Sequence, residues 1–209
     1  MKHTIFKHKY TLLILTLLFT LLSCSSDDND KQTFTPTLPA ITQTGANTFG
    51  CYIDGKLLTP RDGSGGIYGT PKGVKIIAGG IPPQITYTEI FIDDRKSDKG
   101  GLIRIHFENL NDMGSGQYIV NESNCQGNID SPINTNIYCR VYDDEAQIFK
   151  WYCSIENAGV ITITKYEDGI VSGTFSCTVQ SQTDSNKQIE ITQGRFDFNR
   201  ATVSETEFP

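Results

Sequence analysis

From residue 47 to the C-terminus, apolar and polar residues alternate with a period of two, interrupted at short intervals by Gly, Asn and Asp. This alternation is typical of β-strands with one buried face, and no long stretch shows the apolar spacing of an amphipathic helix. The pattern predicts ten strands, at 48–54, 74–78, 85–92, 102–108, 116–120, 137–142, 146–154, 160–166, 170–180 and 188–198. Ten short strands favour an all-β fold, either an antiparallel sandwich or a closed barrel.

The alternation also assigns side chains to faces, because successive strand residues point to opposite sides of a sheet. In the predicted strand 170–180, the residues of the buried face are Val171, Phe175, Cys177 and Val179. In the strand 188–198 the apolar parity switches between Ile191 and Phe196, and a β-bulge at Gly194 would keep both apolar pairs inside. The stretch Glu167-Asp168-Gly169 has the composition of a hairpin loop.

The aromatic pair Trp151-Tyr152 is assigned by the same parity. Cys153 is predicted to share the core with Phe149 and Trp151. Tyr152 points to the opposite face, and it is therefore a candidate surface contact for a ligand.

The N-terminal segment has the features of a secretory signal peptide, with Lys2, Lys7 and Lys9 preceding an apolar run at 11–22. Twelve residues are too few to span a bilayer core, which requires about 20. The sequence Leu21-Leu22-Ser23-Cys24 resembles a bacterial lipobox. This resemblance implies that Cys24 becomes the N-terminal residue and carries a diacylglyceryl group and an acyl chain such as palmitate. The predicted organisation is a lipoprotein signal peptide at 1–23, an acylated cysteine and flexible tether at 24–46, and one all-β domain at 47–209.

An acidic stretch follows the predicted anchor. Its residues are Ser25, Ser26, Asp27, Asp28 and Asp30. Carboxylates gain nothing from an anionic membrane surface, and the stretch resembles the export signal of Bacteroidota surface lipoproteins. The resemblance implies a lipid-anchored protein of the outer membrane that faces the medium. The alternatives are that the stretch is only the start of a solvated tether, and that the domain faces the periplasm.

The charge balance bears on the class of partner. The chain has 18 basic and 24 acidic residues, and removal of residues 1–23 would leave 15 basic residues against the same 24 acids. Nucleic acid is not expected as a partner, because binding to a polyanion requires a basic face. The expected contacts are the membrane, through the lipid anchor, and an extracellular glycan or protein.

Six cysteines are present, and five remain if Cys24 is acylated. Cys125 lies in an Asn-rich loop, and we expect it to pair with Cys139, which closes a short loop worth about 3 kcal/mol. The other three, Cys51, Cys153 and Cys177, are candidates for a second disulfide or for buried thiols. The chain has no C-x-x-C pair, so no metal site is predicted.

Few residues suggest catalysis. His106 is the only histidine after residue 23, and by parity it falls on the face opposite Ile103 and Ile105, where we expect it to meet solvent. No nucleophile elbow accompanies it. The carboxylate clusters, Asp93-Asp94, Asp143-Asp144-Glu145 and Glu167-Asp168, fall at predicted strand ends, where Asp favours turns. We therefore expect a protein without catalytic activity or cofactor, and a carboxylate-dependent glycan hydrolase is the alternative.

Two parts of the domain resemble a family of small all-β Bacteroidota surface lipoproteins. They are NTFGCYIDGK at 47–56 and GIVSGTFSC at 169–177 together with ITQGRFDF at 191–198. The resemblance implies an extracellular all-β domain and carries over no catalytic residues. The function predicted from the sequence is ligand or partner binding at the cell surface, and a second alternative is an accessory subunit of an outer-membrane complex.

Overall fold

The computed structural model describes residues 34–67, 69–81 and 85–209. The predicted signal peptide, Cys24 and the acidic stretch 25–30 lie outside the described residues. In the described part, ten strands form one antiparallel sheet that curls into half of a barrel. The all-β prediction is confirmed.

The strands are β1 (Thr48–Ile53), β2 (Lys56–Leu58), β3 (Val74–Ile81), β4 (Ile85–Asp93), β5 (Leu102–Glu108), β6 (Gly116–Val120), β7 (Asn136–Asp143), β8 (Ile148–Glu167), β9 (Ile170–Ser181) and β10 (Gln188–Asn199). Helical structure in the described ranges is limited to α1 (Leu110–Met113) and a 3-10 turn at Asn128–Asp130. No helix within these ranges has the length and apolar character needed to cross a membrane.

The sheet has the order β2-β1-β10-β9-β8-β7-β5-β4-β3, and β6 pairs with the second half of β8. Strands β2 and β3 are therefore the two ends of the sheet. The predicted strands 102–108 and 116–120 coincide with β5 and β6. The short strand β2 was not predicted, because it has only three residues after the tight turn at Asp54 and Gly55.

The predicted strands 146–154 and 160–166 are two halves of β8, a single strand of 20 residues. Its register against β9 shifts between Ser154 and Gly159, and this β-bulge bends the strand around the half-barrel. A Cβ atom on Gly159 would lie 2.1 Å from the carbonyl oxygen of Ser176. Only glycine lets the two strands approach so closely at the bulge.

The concave inner face of the sheet carries the hydrophobic core. All four residues predicted on the buried face of β9 are buried, namely Val171, Phe175, Cys177 and Val179. The register of β10 against β9 shifts between Ile191 and Gly194, so the predicted bulge is confirmed, and the apolar pairs on both sides of it are buried. The two-residue turn at Asp168 and Gly169 joins β8 to β9, and both residues have positive φ.

The parity predicted for the first half of β8 is wrong. Tyr152 is 2% exposed and belongs to the core, whereas Trp151 is half-buried on the outer face. Phe149 and Cys153 lie on the outer face with it, since they alternate with Tyr152 along the strand. The bulge reverses the parity between the two halves of β8, because Ile161 and Ile163 are the buried residues after it.

The predicted disulfide is also wrong. Cys125 bonds to Cys153, 28 residues away in sequence. Cys139 faces the core, while Cys125 lies in a loop over the opposite face of the sheet, and this difference prevents their pairing. Cys51, Cys139 and Cys177 are free, buried thiols. Burial raises the pKa of Cys177 to about 12 and also raises that of Cys51, so these thiols are protonated at neutral pH.

Part of the interval assigned to the tether lies against the sheet. The Thr42 hydroxyl and the Gly45 backbone N–H donate hydrogen bonds to the carboxylate of Asp197 in β10, at 2.6 and 2.8 Å. Pro39 packs against Gly50 so closely that a Cβ on the glycine would lie 2.5 Å from Pro39 Cδ. The contacts with the sheet therefore begin before residue 47, the expected domain boundary.

Candidate functional site

A loop covers part of the outer face of the sheet, where β4, β5 and β7 present polar side chains. We call residues 121–135 the covering loop. Its ends are held by a hydrogen bond from the Asn121 N–H to the Thr135 carbonyl oxygen, at 2.8 Å, and the Cys125–Cys153 disulfide anchors it to β8. The side chains beneath it are shielded from water although they lie outside the hydrophobic core.

Glu89 of β4 is fully buried beneath this loop. The backbone N–H of Asn128 donates to Glu89 Oε2 at 2.7 Å, and the Tyr138 hydroxyl donates to Oε1 at 3.4 Å. Gly127 allows the approach, because a Cβ there would lie 2.5 Å from Oε1. Burial and the neighbouring Glu89 carboxylate raise the pKa of Tyr138, which therefore remains a hydrogen-bond donor.

His106 of β5 lies beside Glu89, and the prediction that it faces solvent is wrong. The parity was correct, since His106 is on the outer face, but the covering loop leaves it only 3% exposed. Its ring stacks on Tyr87, with ring centroids 5.2 Å apart, and its Nδ1 lies 3.8 Å from Glu89 Oε2. Nδ1 is buried without a hydrogen-bond partner. Glu89 Oε2 is too distant for a hydrogen bond, so Nδ1 is a buried polar atom that the described residues leave unsatisfied.

A cleft of about 220 Å³ opens between His106 and the covering loop. We call it the loop cleft. Its apolar walls are formed by Tyr87, Ile129, Pro132 and Ile133, and its polar groups include His106 and Glu108. Ile129 and Ile133 are 67% and 60% exposed. Two exposed isoleucines at the mouth of an apolar cleft favour an occupant that would cover them.

Next to the loop cleft the outer face carries half-buried aromatic rings paired with cations. The Arg104 guanidinium lies 4.7 Å from the centre of the Phe91 ring, and Arg140 lies 4.2 Å from Phe149 and 5.7 Å from Trp151. A sugar stacked on these rings would compete with the guanidinium groups. This surface is therefore less suited to a new ligand than the loop cleft.

The carboxylates proposed for glycan hydrolysis are engaged by cations. Asp93 accepts from Arg104 at 3.0 Å, and Asp94 accepts from Arg61 at 2.7 Å. Asp143 pairs with Lys150, and Asp144 pairs with both Lys56 and Lys99. These lysine hydrogen bonds lower the pKa of Asp143 and of Asp144. Such carboxylates are poor proton donors at neutral pH.

Glu167 and Asp168 lie at the β8–β9 turn. Among the described residues, no three His, Cys, Asp or Glu side chains converge in a way that could hold a metal ion. The acidic groups therefore form no cluster suited to calcium in this part of the chain.

Sequence reasoning missed Glu89 entirely. A single glutamate in a strand is ordinary when it faces solvent, and nothing local distinguishes this one. The available signal was the loop itself, which combines Cys125 with Ile129, Pro132 and Ile133 in an otherwise polar, Asn-rich stretch. Apolar residues and a cysteine in such a loop indicate that it packs against a surface.

No protein-family model matches the chain, and neither a curated protein nor a solved structure is significantly similar to it. The loop cleft combines apolar walls with one buried imidazole. This combination suits the recognition of a compact group that has an apolar body and one hydrogen-bonding atom.

Proposed function

We propose that this chain is a lipid-anchored surface lipoprotein whose β-domain binds a compact group of an extracellular partner in the loop cleft. The observation that carries the binding proposal is the apolar loop cleft, which is lined by the buried His106 and flanked by two exposed isoleucines. The lipobox-like Leu21-Leu22-Ser23-Cys24 and the acidic stretch that follows support the anchor and the location.

The size and chemistry of the loop cleft define its occupant. Its volume of about 220 Å³ is below the 300–1,000 Å³ typical of pockets for drug-sized ligands, so it fits one ring or one side chain. Nδ1 of His106 lies 3.8 Å from Glu89 Oε2, so Nε2 is the ring nitrogen that we propose as the acceptor for a ligand in the loop cleft. Glu108 disfavours an anionic group. The occupant is therefore a neutral apolar group with a hydroxyl donor, such as a phenol ring.

Two alternative functions receive less support. A carboxylate-dependent glycan hydrolase needs two acidic groups facing one substrate-binding cleft, whereas Asp93, Asp94, Asp143 and Asp144 are each paired with a lysine or arginine. An accessory subunit of an outer-membrane complex is compatible with the loop cleft, if the bound group is a side chain of another subunit.

The proposal for the loop cleft is tested with p-cresol and with toluene, which has the same ring and methyl group but no hydroxyl. Replacement of His106 by Phe preserves a ring that can stack on Tyr87 and removes both nitrogens. We expect p-cresol to bind His106→Phe about fivefold to tenfold more weakly than the native protein, since one hydrogen bond is lost. Ligand-observed NMR titration of the full chain measures both affinities.

Toluene provides the control in the same titration. Its affinity should be equal for the native protein and for His106→Phe, because toluene cannot use the imidazole. Equal p-cresol affinities for the two proteins, or an equal loss for both probes, would contradict the proposed role of His106.

The proposed anchor and export signal are tested in a Bacteroidota host. Cys24→Ala is expected to abolish incorporation of labelled palmitate, because the thiol that would carry the diacylglyceryl group is lost. A variant with Asp27, Asp28 and Asp30 replaced by Ala should keep the lipid but resist proteolysis of intact cells, whereas the native protein is cleaved. If native and variant proteins are both labelled and both protected, the domain faces the periplasm.

A further inference from the structure

Strand β3 is an end of the sheet, and its outer backbone groups are unpaired among the described residues. The only strand that pairs with it there is β4. The Asp93 N–H donates to the Gly73 carbonyl oxygen at 2.8 Å, which fixes the pattern of the antiparallel ladder. From Gly73, every second residue bonds to β4, and the residues between them, including Ile76 and Ala78, direct N–H and C=O groups away from the sheet.

A groove of about 520 Å³ follows this free edge. We call it the edge groove. It lies between β3 and the turn after β10, where Arg200, Val203 and Ser204 line its far side. Ile76 is half-buried and Ala78 is exposed. A strand of eight residues with apolar side chains and a free edge is a template for the addition of another strand.

The edge groove is basic, although the whole chain has a formal net charge of −6. Its charged lining residues are Lys72, Lys75, Arg95, Arg200 and Asp93. Lys72 is paired with Asp62, and Arg95 is paired with Asp93. Within the described ranges, Lys75 and Arg200 have no carboxylate partner; Lys75 lies over the Phe91 ring, and Arg200 donates to the Tyr166 hydroxyl. The groove therefore has an excess of positive charge that an acidic ligand would neutralise.

We infer that β3 binds an extended acidic segment of a partner protein as an added strand. Backbone hydrogen bonds to Ile76 and Ala78 would give affinity, and Lys75 and Arg200 would select carboxylates. A second copy of this chain is disfavoured as the occupant, because pairing β3 with β3 would bring two basic edges together. This interaction uses a different surface from the loop cleft and does not depend on what the loop cleft binds.

The inference is tested with a blocked hexapeptide of alternating Glu and Val, compared with its Lys-Val counterpart. The full chain is titrated with each peptide, and amide hydrogen exchange is followed by NMR. We expect the acidic peptide to slow exchange at the outward N–H groups of Ile76 and Ala78 by at least tenfold. The lysine peptide should bind at least tenfold more weakly than the acidic peptide. Added salt should lower the affinity of the acidic peptide.

Ala78→Pro removes an outward N–H that β4 does not use, and Ala78→Val is the matched control that retains it. The first substitution should weaken acidic-peptide binding at least tenfold, and the second should leave binding unchanged. Lys75→Glu should reverse the preference between the peptides. Binding that is insensitive to Ala78→Pro would overturn the inference. Protection of the same amides that depends on protein concentration without peptide would also overturn it, because a second copy would then be the occupant.

Discussion

Replacing Asp197 by Ala is expected to lower the free energy of unfolding by about 3–4 kcal/mol. Asp197 is only 1% exposed, and its carboxylate holds the segment before β1 against the sheet. The hydrogen bonds that it accepts come from the hydroxyls of Thr42, Thr44 and Ser172 and from the backbone N–H groups of Thr44, Gly45 and Ala46. Alanine would leave all of these donors without an acceptor. Urea unfolding monitored by circular dichroism measures the loss.

The contribution of Asp197 to the free energy of unfolding should depend on pH. Burial alone would raise the pKa of Asp197, but the donated hydrogen bonds outweigh burial and lower it. A carboxyl group whose pKa is lower in the folded than in the unfolded state stabilises the fold fully above the unfolded value, about 3.9. That contribution is lost as the pH falls below 4 toward the folded pKa. The stability difference between native protein and Asp197→Asn should therefore shrink below pH 4.

Asp98 offers a matched control for Asp197. It is an exposed aspartate in the turn between β4 and β5. Asp98→Ala should change the free energy of unfolding by less than about 0.5 kcal/mol at any pH tested. An equal loss for Asp98→Ala and Asp197→Ala would show that the hydrogen bonds to Asp197 do not stabilise the fold.

Replacing both Cys125 and Cys153 by Ser is the second change with a large expected effect. The disulfide spans 28 residues, and the chain-entropy relation assigns about 3–4 kcal/mol to a loop of that length. The loss should extend to the loop cleft, because Asn128 bonds to Glu89 only while the covering loop is in place. We expect lower stability in urea and no measurable p-cresol binding.

Reductant and thiol mapping provide the control for the disulfide. Dithiothreitol should destabilise the native protein and have no further effect on the double serine variant. In the denatured, unreduced protein, alkylation should label Cys51, Cys139 and Cys177 and spare Cys125 and Cys153. Protection of Cys139 together with Cys125 would instead support the pairing first predicted from the sequence.

The sequence predicts the strands well because most of them have one apolar and one polar face. In β9 and β10, alternation alone identifies the buried residues and even the bulge at Gly194. The first half of β8 is different, since Trp151 and Tyr152 are both large and apolar, and both faces of the strand contact protein. Alternation cannot decide between two apolar faces. Because the bulge before Gly159 reverses the parity, the buried residues of the second half of β8 do not show which face of the first half is buried.

The errors at His106 and at the disulfide have a common physical cause. The sequence places His106 on the outer face, and an outer face is normally solvated. Here the covering loop shields the outer face from solvent, and the sequence of β5 contains no pattern that predicts this shielding. Once Cys153 is assigned to the outer face, its bond to Cys125 follows, because both cysteines then lie on the same side of the sheet. The candidate site depends on this long-range contact.

We propose that the loop cleft binds a hydroxyl-bearing apolar group through His106. The most direct measurement is the ¹⁵N–¹H spectrum of the imidazole in the full chain, recorded with and without p-cresol and assigned by comparison with His106→Phe. We expect the Nε2 resonance of His106 to shift on addition of p-cresol and to stay in place with toluene. Unchanged His106 resonances at saturating p-cresol would contradict this proposal.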